Sequence, residues 1–122
     1  MAEKLVVIML NSDPDNPAEL FEPIYHATIA ASMEYHAEII LSGRAGQLAI
    51  RRFAEKIPSP RKTGETIYDL LCEAYQNGVR LKASKFVVQQ WGDNLIPEID
   101  EVVSSGYIVG EIMNSNVTTL TY

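Results

Sequence analysis

Six consecutive apolar residues near the start, Leu5-Val6-Val7-Ile8-Met9-Leu10, constrain the fold of this chain more than any other feature. The run has the length of a strand and no polar alternation. Such a strand is covered on both faces, as in a parallel sheet held between two helical layers. Ala37 to Ser42 and Val79 to Ala83 read as a second and a third strand, and helical patterns stand between them. Alternation of strand and helix predicts a parallel sheet with helices on both faces, joined by right-handed crossovers.

The connecting segments carry start and stop signals. Asn11 to Asp15 is a loop by composition, and Asn16-Pro17-Ala18-Glu19 opens a helix expected to reach about Tyr35. Pro23 predicts a kink or a restart within it. Ile50, Phe53, Ala54 and Ile57 recur at helical spacing within Gln47 to Ile57. Pro58 to Gly64 is the most loop-like stretch and is expected to be mobile. Ile67, Leu70, Leu71, Ala74 and Tyr75 define the clearest helix, closed by Asn77-Gly78.

The C-terminal third is less regular. Phe86 to Gly92 fits either helix or strand. Pro97 is expected to open a helix with Ile99, Val102 and Val103 inward, closed by Gly106. Tyr107-Ile108-Val109 then reads as the fourth strand, Glu111 to Asn116 as about one helical turn, and Val117 to Tyr122 as the last strand.

Composition narrows the function classes. The 122 residues suit one domain, and a domain of that size buries roughly two-thirds of its unfolded surface. Sixteen acidic and ten basic residues give a net charge of −6. That opposes phosphate-backbone binding, so no nucleic-acid partner is expected. No segment is long enough to span a membrane. The start, Met1-Ala2-Glu3-Lys4 and a short apolar run, does not read as a secretory signal. One cysteine, Cys72, rules out an internal disulfide and fits a cytoplasmic location. Two distant histidines and one cysteine show no metal-ligand spacing, and no cofactor motif is present.

Ligands of parallel α/β sheets bind beyond the carboxyl ends of the strands. The residues placed there are Asn11, Ser12 and Asp13 after the first strand, and Ser42 and Arg44 after the second. Ser84 and Lys85 follow the third, and Gly110 and Glu111 the expected fourth. Ser84 lacks a Gly-x-Ser-x-Gly elbow, and His36 sits at the opposite end of the sheet, so a serine hydrolase is disfavoured. Arg44, in Ser42-Gly43-Arg44-Ala45-Gly46, opens a helical segment that could meet an anion.

Several segments in order resemble the DsrE/DsrF-like family of small sulfur-relay proteins. They are Lys4 to Ile8, Pro23-Ile24-Tyr25-His26-Ala27, Glu38-Ile39-Ile40-Leu41-Ser42-Gly43, Gly78 to Ala83 and Val117 to Tyr122. The resemblance implies a flavodoxin-like three-layer α/β/α domain of five mostly parallel strands in the order 4-3-2-1-5. It also implies a homo-oligomer, expected as a trimer, with other sulfur-relay proteins as possible partners. Active members carry a sulfur-accepting cysteine at the end of the third strand, and Ser84 stands at that position. The last helix is expected to be shorter than is usual in the family.

A hydroxyl cannot form a stable persulfide, whereas a cysteine thiolate near neutral pH can. The expectation is therefore a family member without autonomous sulfurtransferase activity, a structural or binding component. The alternatives are a small-molecule or anion binder in the strand-end pocket and a sulfur carrier acting through Cys72. Cys72 itself is expected to be a buried helical residue. Trp91, flanked by Gln89, Gln90 and Gly92, is a candidate interface anchor.

Overall fold

The computed structural model describes residues 3–122; Met1 and Ala2, part of the start read as non-secretory, lie outside them. Five strands form one sheet: β1 (Lys4–Met9), β2 (His36–Leu41), β3 (Arg80–Ser84), β4 (Ile99–Val103) and β5 (Val117–Thr121). Their order is β4-β3-β2-β1-β5, and every pairing is parallel. Four α-helices connect them: α1 (Pro17–Ser32), α2 (Ile67–Gln76), α3 (Lys85–Trp91) and α4 (Ser105–Met113). The fold class and strand order expected from the sequence are those of the structure.

The two faces of the sheet are unequal. Val7, Met9, Ile39, Leu41, Leu81 and Ala83 pack with Leu20, Ile24, Leu70 and Leu71 from α1 and α2 into the main core. On the opposite face Val6, Ile8, Ile40 and Val103 form a smaller cluster against Tyr107, Ile108 and Val117. Burial on both faces explains why Val6 to Met9 are apolar at every position. Thr66 caps α2 through a capping box with Asp69, and α1 runs unbroken through the buried Pro23.

Three segments differ from the sequence expectation. Gln47 to Ile57 is not one helix but two 3₁₀ segments, Gly43–Ala49 and Ala54–Lys56. Arg52 takes a left-handed φ of 72°, and Ile50 pairs with Leu95 in an isolated bridge. Together these break the helical path.

Residues 97–113 exchange their assignments. The expected helix after Pro97 is β4, and the expected strand Tyr107-Ile108-Val109 lies within α4. A register shift opposite Leu81 and Lys82 places an extra residue in β4. Ile99 therefore joins the main core and Val103 the smaller cluster. Apolar residues four apart thus served two faces of a strand rather than one face of a helix. Ser104 caps α4 by accepting from the Tyr107 N–H, so Gly106 sits in the first helical turn instead of closing a helix. The ambiguous 86–92 stretch is helical, ended by Gly92 at φ 96°.

Pro58 to Gly64 is tied down rather than left free. Ser59 N–H donates to the Glu65 carbonyl at 2.8 Å. Arg61 donates to both Glu65 oxygens and to Glu73.

Candidate functional site

The carboxyl ends of β1, β2 and β3 bring the expected residues into three separate groups. Ser42 and Ser84 form the first. Each follows or ends a buried strand, and their Oγ atoms lie 2.9 Å apart. Ser84 is 2% exposed and Ser42 8%. Among the described residues no histidine or carboxylate shares that hydrogen bond, so neither hydroxyl has a base there to activate it. Ser84 also occupies the cap position of α3, yet its side chain makes no capping bond.

Asp13 and Arg44 form the second group. Arg44 Nη2 lies 2.9 Å from Asp13 Oδ2, with the guanidinium more than half exposed. The pairing neutralises the cation that could have met an anion. Gly43 makes this turn possible. Its φ is +50°, and a Cβ there would collide with the Leu10 backbone carbonyl. Arg44 N–H then donates to that same carbonyl at 3.0 Å.

Asn11 and Ser12 belong to the third group. With Ala18, Glu19, Glu22, Pro23 and Tyr122 they line a pocket of about 480 Å³ between the end of β1 and the start of α1. Ser12 is 3% exposed, and its Oγ has no hydrogen-bond partner among the described residues. A buried hydroxyl without a partner is costly. Glu19 and Glu22 give this pocket an acidic rim. Glu19 itself is engaged with the Asp13 N–H and with Asn16.

Lys85 joins none of these groups: it is exposed and makes no salt bridge among the described residues. Gly110 and Glu111 are not at a strand end at all, because both lie in α4. Glu111 instead reaches Lys4 at 3.3 Å, at the start of β1. His26 Nδ1 faces the Tyr122 hydroxyl at 3.3 Å, not Ser84. Trp91 is half-buried and packs against the core. It lies over Gly46, where an added Cβ would come within 3.2 Å of the indole.

Cys72 is half-buried in α2 rather than fully buried. Burial pushes its thiol pKa up, and Glu98 and Asp69 push the same way against a hydrogen bond from Tyr68. A thiol with a raised pKa is a poor nucleophile at neutral pH. Among the described residues no group of three His, Cys, Asp or Glu is placed to hold a metal ion.

The most heavily charged buried cluster was missed by reading strand ends. It lies at the amino ends of the strands. Lys82 Nζ reaches Glu38 Oε1 at 2.8 Å and Tyr107 Oη at 2.9 Å. Tyr107 Oη donates to the same carboxylate, and Lys4 Nζ lies 3.6 Å from it. Burial opposes the Lys82 ammonium, yet bonds to Glu38 and Tyr107 outweigh it and hold its pKa well above the ordinary lysine value. The signal was present in the sequence: Glu38 and Lys82 are charged residues flanked by apolar neighbours within strands.

The sheet order, the helical layers and the strand-end groups define a flavodoxin-like α/β domain. No family model and no curated protein matches the chain. Among solved structures the chain is similar to the ychN protein from E. coli, with a TM-score of 0.74 and 17% identity over the whole of both chains. At that identity the likeness speaks for the fold. Among the described residues no helix is long and apolar enough to cross a membrane.

Proposed function

We propose that this chain is a DsrE-like protein without autonomous sulfurtransferase activity, acting as a structural or binding member of a sulfur-handling system. One observation carries the reading. At the end of β3, where the resemblance calls for a cysteine, a buried serine is hydrogen-bonded to a second serine. Two neutral hydroxyls offer neither a thiolate nor an acid-base pair. The raised thiol pKa of Cys72 weighs against a carrier that works through the remaining sulfur. The whole-chain likeness to the ychN fold is compatible with the resemblance. Homo-oligomerisation and relay partners are part of this proposal.

Intact-protein mass spectrometry after incubation with polysulfide tests it. Wild type and Cys72→Ser are both expected to gain no stable sulfur under conditions that load an active relative. A sulfur atom retained by wild type and absent from Cys72→Ser would overturn the proposal in favour of a carrier acting through Cys72.

A second reading rests on the unpartnered Ser12 hydroxyl beside the pocket lined by Asn11, Glu19, Glu22 and Tyr122. A small molecule bearing a hydrogen-bonding group would satisfy it. The acidic rim and the Asp13–Arg44 pair favour a neutral or cationic ligand over an anion.

A further inference from the structure

The two edges of the sheet are built differently. A free edge exposes unpaired N–H and C=O groups, and proteins protect it with charges, proline or bulges. The β4 edge has all three. Pro97 precedes it, Asp100 and Glu101 are exposed on it, and a register shift interrupts its pairing with β3. The β5 edge has none. Val117-Thr118-Thr119-Leu120-Thr121 carries no charge and no proline, and it pairs with β1 without a register shift.

Backbone direction decides which groups are open. Tyr122 N–H donates to Ile8, and the Tyr122 carbonyl accepts from Leu10, each at 2.8 Å. Alternation along the strand therefore turns the N–H and C=O of Thr119 and Thr121 away from β1. The Val117 carbonyl points outward with them, while its N–H is held by Asn114.

We propose that β5 pairs antiparallel with β5 of a second copy, about a two-fold axis at Thr119. In that register Thr119 faces Thr119, and Val117 faces Thr121. Thr119 exchanges both of its bonds with its copy, and the Thr121 N–H donates to the Val117 carbonyl, the Val117 N–H being kept by Asn114. Thr118 faces Leu120 at the positions between. β-branched and aliphatic neighbours of this kind favour cross-strand pairing. No like charges meet, which matters for a chain of net charge −6. The interface is self-complementary and closes as a pair. It also draws together the two α4 helices, which pack on β5 and leave Val109, Ile112 and Met113 exposed. This surface does not depend on the serine pair, so its failure would leave the absence of sulfurtransferase activity standing, and a single-chain mass would remove only the homo-oligomer from that reading.

Sedimentation equilibrium on wild type and Thr119→Pro tests the pairing. Proline is tolerated on an edge strand where its missing N–H would face outward, so the fold survives and the pairing does not. Wild type is expected at an even multiple of the 13.6 kDa chain mass, and Thr119→Pro at half of the wild-type value with an unchanged circular dichroism spectrum. A wild-type mass of one chain or of any odd number of chains, the trimer implied by the resemblance included, or a folded Thr119→Pro of undiminished mass, would overturn the proposal. Should that variant not fold, amide exchange in wild type decides. Protection at Thr119 and Thr121 that fades on dilution supports the pairing, and fast exchange at both amides refutes it.

Discussion

The two ends of the sheet differ in how their polar groups are arranged. At the carboxyl end, where α/β domains bind ligands, Ser42 and Ser84 make a neutral hydroxyl pair. At the amino end, Lys4, Glu38, Lys82, Tyr107 and Glu111 form a charged network under α4. Perturbed pKa values cluster at functional sites in many proteins, but buried ion-pair networks produce them as well. Here the perturbed groups answer one another: Tyr107 donates to Glu38 and accepts from Lys82. A set that satisfies itself has little left for a substrate. The network therefore anchors α4 to the thinner side of the core.

Glu38→Ala would test the anchoring role most severely. Glu38 is 2% exposed, and its carboxylate is the shared partner of Lys82, Lys4 and Tyr107. Its removal leaves the Lys82 ammonium buried among fewer partners. Loss of one side of a buried ion pair costs about 3–5 kcal/mol. Urea unfolding should show a midpoint lowered accordingly, and a change under about 1 kcal/mol would mean that the network is a solvated decoration.

Alkaline pH probes the same end more gently. Lys82 and Lys4 have folded pKa values above the ordinary lysine value, because bonds and charges from Glu38, Tyr107 and Glu111 outweigh burial. The folded state then holds protons that the unfolded chain releases near pH ~10.4. Their stabilisation is complete below that pH and is lost as pH rises through the folded values. Tyr107 shifts upward mainly through burial, and its contribution has the same sign. Stability should fall above pH ~10, by about 1.4 kcal/mol per pH unit for each group in its window. Unfolding midpoints measured across that range in wild type and Glu38→Gln provide the check. The variant should show a shallower slope, and equal slopes would remove Glu38 as the cause.

The same contrast explains what was readable in the sequence. β1 is covered on both faces and is a uniform apolar run, whereas β2 and β3 carry charges at Glu38, Arg80 and Lys82 and were placed by the alternation of strand and helix. β4 sits at the edge with a register shift, and its Ile99 and Val103 spacing imitated a helix. α4 was hidden for a related reason: Tyr107-Ile108-Val109 has the residues of a strand, and only the Ser104 cap marked the true start. Gly110 and Glu111 were misplaced with the strand that proved to be α4, while the residues after β1, β2 and β3 were found because topology alone nominates them. Their grouping was not, since the Ser42–Ser84 and Asp13–Arg44 contacts join residues far apart in the chain. Pairing of Glu38 with Lys82 was equally out of reach, although each stood out as a charge flanked by apolar neighbours within a strand.

The smallest expected effect lies at the serine pair, and it separates a structural hydrogen bond from a retained binding group. Ser84→Ala leaves Ser42 Oγ buried without its partner, a loss of about 1–3 kcal/mol. Ser42→Ala should cost a similar amount for the same reason. Removal of both hydroxyls leaves nothing unsatisfied, so the double variant should lose less than the two single losses combined. A double-mutant cycle by urea unfolding measures that difference. Strong coupling would make the pair a closed structural contact, with the ligand or partner sought elsewhere, first in the pocket beside Ser12. Additive losses would mean that each hydroxyl has another partner in solution, and the end of β3 would return as a binding site.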